Sequence, residues 1–264
     1  SRYGPASFPD SALYLSAARS LLAGEGYRYY FGETYTHWPP LYPTLLAAFG
    51  RMGVDPYVGA RWLNSVAFGL IVFLSGQLFL RCTRSRALVL GATLSVLAAE
   101  PLLDWSVTVA SEPVFMMLAL LFLVFLTRFL RDRKLASLLL IAVLAALACL
   151  QRYAGVSLLL AGLVLIALSP LRVSLGRRLI FLALFAVSAG APLAAWCFRN
   201  HLFAGATVGN HHFHLMSRHE VGAALRTADQ LMATWFFPWV EANWAWPISV
   251  VPLLGLAGVM IVLS

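Results

Sequence analysis

Charged residues are scarce in this chain of 264 residues. Only 11% of its residues are Asp, Glu, Lys or Arg, whereas 61% are hydrophobic and the mean hydropathy is +0.80. An ordinary soluble domain carries charge at about one residue in four. The shortage of charge excludes a soluble globular domain and predicts an all-α polytopic membrane protein.

Lysine is almost missing, because Lys134 is the only one and the other basic residues are arginines. The formal net charge is +8, which in a soluble protein would suggest a nucleic-acid partner. Here the basic residues lie between apolar runs, as they do where they anchor the cytoplasmic ends of membrane spans. We therefore expect membrane lipids as partners and no nucleic acid.

Cysteine is rare as well. The three that are present, Cys82, Cys149 and Cys197, lie far apart in or next to apolar segments, so neither a disulfide nor a metal spacing is visible. Three histidines, His211, His212 and His214, lie close together. Their spacing matches no standard zinc site, so a zinc site is the less favoured interpretation.

The first sixty residues are too polar, and too often broken by Gly and Pro, to span a membrane. Two short amphipathic helices are predicted there, over residues 11–23 and 40–52. Asp10 is in position to cap the first helix, whose apolar face includes Leu13 and Leu21. Helices of this kind fit the membrane interface better than its core.

Apolar runs of spanning length follow, a span needing about 20 residues, or about 17 at the low end. The predicted spans are Trp62–Leu80, Ala87–Leu103, Pro113–Leu130, Leu135–Leu150, Ala154–Ser169, Leu179–Cys197 and Trp246–Ser264. The expected organisation is a loop segment at 1–60, a six-helix core at 61–197, a loop at 198–245 and the start of a span at 246–264. The last run looks unfinished and the chain starts without Met, so we expect a span before Ser1 and more sequence after Ser264.

Arginines fall in alternate connections between these spans. The connections around Arg84, Arg131 and Arg177 are rich in basic residues, whereas residues 104–112 contain none. By the positive-inside rule the rich connections are cytoplasmic. The N-terminal segment and the 198–245 loop then lie outside the cytoplasm, and we expect the membrane to be a bacterial inner (plasma) membrane.

Several short motifs, taken in order, resemble one family. They are Asp10 with Tyr14, Gly24-Glu-Gly-Tyr27, Pro39-Pro-Leu-Tyr-Pro43, Ala60-Arg-Trp-Leu-Asn64, Ser111-Glu-Pro-Val-Phe115 and Arg152-Tyr-Ala-Gly155. Over about residues 8–170 the chain resembles the GT-C fold glycosyltransferases, in particular the dolichyl-phosphate-mannose–protein mannosyltransferase and aminoarabinose transferase group. The resemblance implies a GT-C-like transmembrane helix bundle with amphipathic juxtamembrane helices in an extracytoplasmic loop.

The resemblance also implies an enzyme that takes a sugar from a polyprenyl-phosphate-linked donor. The sugar would pass, in one inverting displacement, to a hydroxyl group of a protein, lipid or glycan. Asp10 matches the loop acid of the family and would be the general base, and Glu112 matches a second family acid. Many members place another acid directly after the first, where this chain has Ser11. That departure argues against a strong metal site, and a divalent cation at Asp10 and Glu112 stays the weaker alternative.

Three further residues are candidates for binding the phosphate or the sugar of the donor. Arg152 lies in a short outer turn, where it is either a phosphate ligand or an interfacial anchor. His37, just before Trp38 and the double proline, is either a donor contact or a loop histidine, and Tyr42 in the same motif is assigned to the donor. The acids also have plain alternatives, with Asp10 as a helix cap and Glu112 as a first-turn acid.

Two other functional classes stay open. A transporter or flippase would also carry broken helices and charges at membrane depth. The span interiors hold almost no ionisable residue, however, and no internal repeat is visible. An inactive scaffold of the same fold is the other alternative. Release of free polyprenyl phosphate from a labelled donor would distinguish the enzyme from both.

Overall fold

The computed structural model describes residues 9–168, 173–208 and 222–223. Its described helices are α1 Pro9–Leu22, α2 Leu41–Arg51, α3 Pro56–Cys82, α4 Arg86–Leu97, α5 Glu100–Val107, α6 Glu112–Asp132, α7 Leu135–Gln151, α8 Val156–Leu168 and α9 Leu175–Ala204. A short 3-10 turn, Tyr153–Gly155, precedes α8. The described residues contain no β-strand and only isolated bridge residues, among them the pair Arg28 and Thr34. The all-α prediction is confirmed.

The buried face of helix α1 only partly matches the predicted one, in which Ala17 lies between Leu13 and Leu21 and is fully buried. Its buried residues include Ser11, Tyr14 and Ala18, whereas Leu13 is only partly buried. The buried positions are three and four residues apart and so share one side of the helix. Small side chains such as Ala18 allow close packing there, and hydrogen bonds satisfy the polar atoms of Ser11 and Tyr14. These contacts, more than the positions of the leucines, decide which side of α1 is buried.

Helix α1 also starts earlier than predicted. It includes Pro9, so Asp10 lies within its first turn, and the prediction of Asp10 as a residue preceding the helix is wrong. A carboxylate in a first turn still interacts favourably with the positive end of the helix dipole. Helix α2 agrees closely with the prediction. It follows Pro40 and is succeeded by Gly53, which adopts the left-handed conformation (φ +83°) that favours glycine.

The described residues belong to two compact units. The first contains residues 9–71 together with those of 105–208, and its centre is a bundle of α6, α7, α8 and α9. Aromatic rings pack within this bundle, with Phe129 edge-on to Phe181 at a centroid distance of 5.6 Å. The second unit contains residues 72–104, in which α3 and α4 approach closely at Gly76.

Three described helices are long and apolar enough to cross a membrane, namely α3, α6 and α9. Helices α4 and α5 together would make a fourth span, broken by a bend of 45°. Helices α7 and α8 are apolar but shorter, with 17 and 13 residues. Large apolar side chains such as Phe73, Leu123 and Val187 remain exposed, as expected of surfaces that face lipid. The protein is an integral membrane protein.

Two of the predicted boundaries that differ from the structure have a visible local cause. The span predicted over Ala87–Leu103 is interrupted after Leu97, because Pro101 has no amide hydrogen to donate to the carbonyl oxygen of Leu97, four residues earlier, and its ring crowds that carbonyl. The loop predicted from residue 198 starts later, since α9 continues to Ala204 and ends at a left-handed Gly205. The span predicted over Trp246–Ser264 lies outside the described residues.

Candidate active site

A cavity of about 360 Å³ brings together the two acids that the sequence singled out. Its lining residues are Pro9, Asp10, Ser11, Tyr14, Trp105, Val109, Ala110 and Glu112. Asp10 comes from the first turn of α1, and Glu112 is the first residue of α6. They are about 100 positions apart in the chain, and the fold places them on one cavity.

Arg152 lies beside this cavity through its contact with Glu112. Its Nη1 is 2.5 Å from Glu112 Oε1 and donates a hydrogen bond of 2.9 Å to Ser111 Oγ. The guanidinium carbon is 5.7 Å from the centroid of the Trp38 ring, within cation–π range. Both partners of the ion pair are partly exposed, with 25% and 29% of their side-chain surfaces accessible. Arg152 is therefore fixed in place and still open to a ligand.

Tyr14 joins α1 to the start of α6. Its hydroxyl is 3.0 Å from Ser111 Oγ, and its ring packs edge-on against Tyr42 at 5.0 Å. Burial raises the pKa of the Tyr14 hydroxyl above its usual range, and the hydrogen bond to Ser111 and the charge of Arg152 only partly oppose this. Tyr14 therefore stays protonated and neutral around neutral pH.

Residues 108–111, which lead into Glu112, are held by side chains that the sequence did not single out for the site. Ser11 Oγ donates to Val109 O at 2.8 Å, and Gln151 Nε2 donates to Ser111 O at 3.0 Å. Asn64 Nδ2 donates to the carbonyl oxygens of both Thr108 and Ala110, at 2.8 and 3.0 Å. Asn64 and Gln151 are amide residues within otherwise apolar helices, and that contrast is the signal that could have identified them.

Tyr42 and His37 do not line the cavity of the two acids. Tyr42 is fully buried behind it, where its hydroxyl donates to Asn64 Oδ1 at 3.4 Å. His37 lines a separate cavity of about 560 Å³, together with Glu33 and Phe203 among others. His37 is nevertheless close to the site, because its ring is 4.7 Å from that of Trp38, which lies against Arg152.

Arg199 from α9 holds the loop that precedes His37. It donates hydrogen bonds to Tyr35 O at 2.9 Å and to Tyr27 O at 3.4 Å. Its guanidinium carbon is also 4.8 Å from the centroid of the Trp196 ring. Arg199 falls within the loop predicted at 198–245, whereas in the structure it ties the last turns of α9 to the N-terminal segment.

The cavity is poorly equipped to hold a divalent cation tightly. Such ions need several oxygen or nitrogen ligands, and across residues 9–168 and 173–208 no group of three His, Cys, Asp or Glu side chains could supply them. Glu112 is already paired with Arg152, which leaves Asp10 as the remaining carboxylate. His211, His212 and His214 lie outside the described residues.

Apolar spans, a helical segment beside them and a carboxylate–guanidinium site are the features of a GT-C type membrane glycosyltransferase. The family model of dolichyl-phosphate-mannose-protein mannosyltransferases matches residues 37–196, more than half of the chain, and the chain belongs to this family. The match includes Glu112 and Arg152 and begins after Asp10. No curated protein and no solved structure matches the chain.

Proposed function

We propose that the protein transfers a sugar from a polyprenyl-phosphate-linked donor to a hydroxyl group, with Asp10 as the general base. The observation that carries this proposal is the single cavity lined by Asp10 and Glu112, with Arg152 bound to Glu112 at its side. A carboxylate can accept the acceptor's proton, and a guanidinium can hold a phosphate. Membership of the family supports a glycosyltransferase of the mannosyltransferase type.

The donor class is supported by the surroundings of Arg152. Both polar contacts of its guanidinium use Nη1, so Nη2 and Nε keep donors for the oxygens of a phosphate. The helices around the site expose apolar side chains along which a polyprenyl chain could lie. A lipid-linked phosphate sits at the level of the membrane interface, where charged residues are tolerated.

The reaction we propose is one displacement at the anomeric carbon. The acceptor hydroxyl gives its proton to Asp10 as its oxygen forms a bond to that carbon. The bond from the carbon to the phosphate oxygen breaks, and its electron pair leaves with the phosphate, which Arg152 stabilises. A phosphate leaves without being protonated, so one base suffices, whereas glycosidases need a second carboxylic acid to protonate an alcohol.

We also propose that this chemistry takes place outside the cytoplasm. The proposal rests on the basic connections around Arg84, Arg131 and Arg177, which the positive-inside rule assigns to the cytoplasmic side. Helix α1 and the loop that follows it then form part of the outer segment that carries Asp10.

The first prediction tests the base. Asp10→Asn keeps the size of the side chain and removes its ability to accept a proton. General base catalysis contributes about 10²–10⁴-fold, so kcat should fall by about that factor while the melting temperature stays unchanged. The measurement is transfer of labelled sugar, and release of free polyprenyl phosphate, by the purified full-length protein.

Asp55→Asn is the matched control, because Asp55 is an exposed aspartate that also lies at a helix start, bonded to the amide of Tyr57. It should retain the full rate of transfer. An Asp10→Asn protein that transfers sugar as fast as the Asp55→Asn control would reject Asp10 as the base. Substrate uptake into vesicles without release of polyprenyl phosphate would favour the transporter alternative.

A further inference from the structure

The backbone of residues 108–111 is held at each of its four carbonyl oxygens by a buried side chain. Asn64 bonds the oxygens of Thr108 and Ala110, Ser11 bonds that of Val109, and Gln151 bonds that of Ser111. The three donor residues are no more than 1% exposed. Water does not compete for these hydrogen bonds, and the positions of the four carbonyl groups are well defined.

These bonds fix the segment relative to three helices. Residues 108–111 lie between α5 and α6, outside the regular hydrogen-bond pattern of either helix, except that Ser111 O accepts the amide of Phe115 at 3.2 Å at the start of α6. The donors come instead from α1 (Ser11), α3 (Asn64) and the end of α7 (Gln151). Glu112 follows this segment directly, and its position is set by the same bonds.

Helix α1 is joined to the segment twice. Ser11 Oγ donates to Val109 O, and Tyr14 OH is hydrogen-bonded to Ser111 Oγ at 3.0 Å. The two residues are three positions apart and share one face of α1. Asp10 lines the same cavity as both of them. The two hydrogen bonds therefore connect the helix that carries Asp10 to the segment that carries Glu112.

Ser111 extends this connection to Arg152. Its Oγ contacts Tyr14 and also accepts a hydrogen bond from Arg152 Nη1 at 2.9 Å. A single buried hydroxyl thus links the helix of the proposed base with the proposed phosphate ligand. A displacement of α1 against the 108–111 segment would separate the base from the bound donor.

We propose that Ser11 and Tyr14 are positioning residues that fix Asp10 relative to Glu112 and Arg152. The inference rests on the proposed function, since it concerns the same site. A general base must lie within hydrogen-bond reach of its proton, and a misplacement of about 1 Å can cost about 10²-fold in rate. Neither residue exchanges a proton or bonds the donor in this role; each acts through the position of Asp10.

The test compares two variants that each remove the described hydrogen bond to the 108–111 segment and little volume, Ser11→Ala and Tyr14→Phe. The matched control is Ser16→Ala on the same helix, because Ser16 Oγ is buried and has no hydrogen-bond partner among the described residues. The full chain is assayed for kcat, donor KM, melting temperature and amide exchange of residues 108–112. The donor is a labelled polyprenyl-phosphate sugar, and Asp10→Asn is run alongside.

Ser11→Ala and Tyr14→Phe should each lower kcat by about 10- to 100-fold with donor KM nearly unchanged, because correct placement of the base matters only in the transition state. Amide exchange of residues 108–112 should become faster in both. Ser16→Ala should change neither kcat nor the amide exchange of residues 108–112. A merely structural role would lower the melting temperature and leave kcat of the folded protein at the level of the control.

The outcomes separate this inference from the proposed function. If Asp10→Asn abolishes transfer while both variants keep the kcat of Ser16→Ala, the inference is overturned and the function stands. A rise in donor KM at constant kcat also overturns it, because the residues would then bind the donor. If the unmodified protein transfers no sugar, or if Asp10→Asn transfers at full rate, the proposed function and this inference fail together.

Discussion

Asp10 and Glu112 line the same cavity but differ in their partners. Glu112 is paired with Arg152, whereas Asp10 has no ion-pair partner among the described residues. In the proposed function the two acids have different roles, with Glu112 orienting Arg152 through their ion pair and Asp10 taking the proton.

Arg152→Lys tests the contribution of the guanidinium. Lysine keeps the charge but loses the planar fork that contacts Ser111, Glu112 and a bound phosphate. We expect donor KM to rise and kcat to fall, together by about 10-fold or more in kcat/KM, which corresponds to a loss of about 1.4 kcal/mol. Kinetics with a polyprenyl-phosphate sugar measure both constants.

Arg128→Lys is the control for that substitution, since Arg128 also pairs with a carboxylate, at 3.6 Å from Asp132, but on an exposed part of α6. Its kinetics should equal those of the unmodified protein. Equal donor KM values for the two variants would show that Arg152 is an interfacial anchor.

The sequence alone could single out candidate ionisable residues for the site but could not predict which of them lie close together. Asp10, Glu112 and Arg152 stand out because each is a charge at the edge of an apolar segment. Their convergence depends on hydrogen bonds to main-chain carbonyl groups, made by Ser11, Asn64 and Gln151. Every residue has a main-chain carbonyl group, so the sequence could mark Asn64 and Gln151 as unusual polar residues in apolar helices but could not show which carbonyl groups they bond, nor that Tyr42 is buried.

At the scale of the elements, the lengths of the apolar runs predicted where helices occur. They did not predict where a proline or a side-chain hydrogen bond changes a helix locally. Helices α3, α6 and α7 lie where apolar runs were identified. The break between α4 and α5 was missed because the apolar run continues through it, although Pro101 was a visible signal. The buried face of α1 was predicted only in part, because hydrogen bonds of Ser11 and Tyr14 to distant residues help to decide it.

Gly155 allows the chain after Arg152 to pack tightly on α7. A Cβ atom at this position would overlap the backbone of Ala148 and Cys149, which cannot move aside as a side chain would. Gly155→Ala should therefore destabilise the fold by about 1–3 kcal/mol, the usual cost of overpacking. Gly155 N–H donates to Arg152 O at 2.8 Å, so a shift of residue 155 would also displace Arg152, the proposed phosphate ligand. Donor KM should therefore rise as well.

Gly69→Ala provides the matched comparison, because no atom lies within 4 Å of the Cβ that it would add to α3. Alanine in a helix interior is favoured over glycine by about 0.5–1 kcal/mol, so this variant should be slightly more stable. Thermal unfolding of both variants in the same detergent or lipid measures the two changes in stability. A Gly155→Ala protein as stable as Gly69→Ala would contradict the tight packing.

At the scale of the whole molecule, the orientation in the membrane decides which substrates can reach the site. We expect a cysteine at Tyr30 to react from outside intact cells and a cysteine at Leu175 to react only after permeabilisation. Both side chains are well exposed, at 76% and 73%, so access to reagent depends on the side of the membrane. The readout is modification by a membrane-impermeant maleimide.

The background for this labelling needs Cys82 and Cys197 replaced, since Cys82 is exposed and Cys197 is only partly buried, whereas Cys149 is buried. The background protein without an introduced cysteine, treated with the same maleimide, sets the zero level of labelling. Labelling of the Leu175 position in intact cells, with protection of the Tyr30 position, would invert the orientation and move the proposed reaction to the cytoplasm.

The hydrogen bonds at residues 108–111 also bear on how this enzyme can diverge. Because they are made to main-chain oxygens, they do not depend on which side chains Thr108, Val109 and Ala110 carry. Val109 and Ala110 nevertheless line the cavity. In the proposed reaction, substitutions at Val109 and Ala110 would therefore reshape the cavity wall that an acceptor meets while the hydrogen-bonded framework behind it stays unchanged.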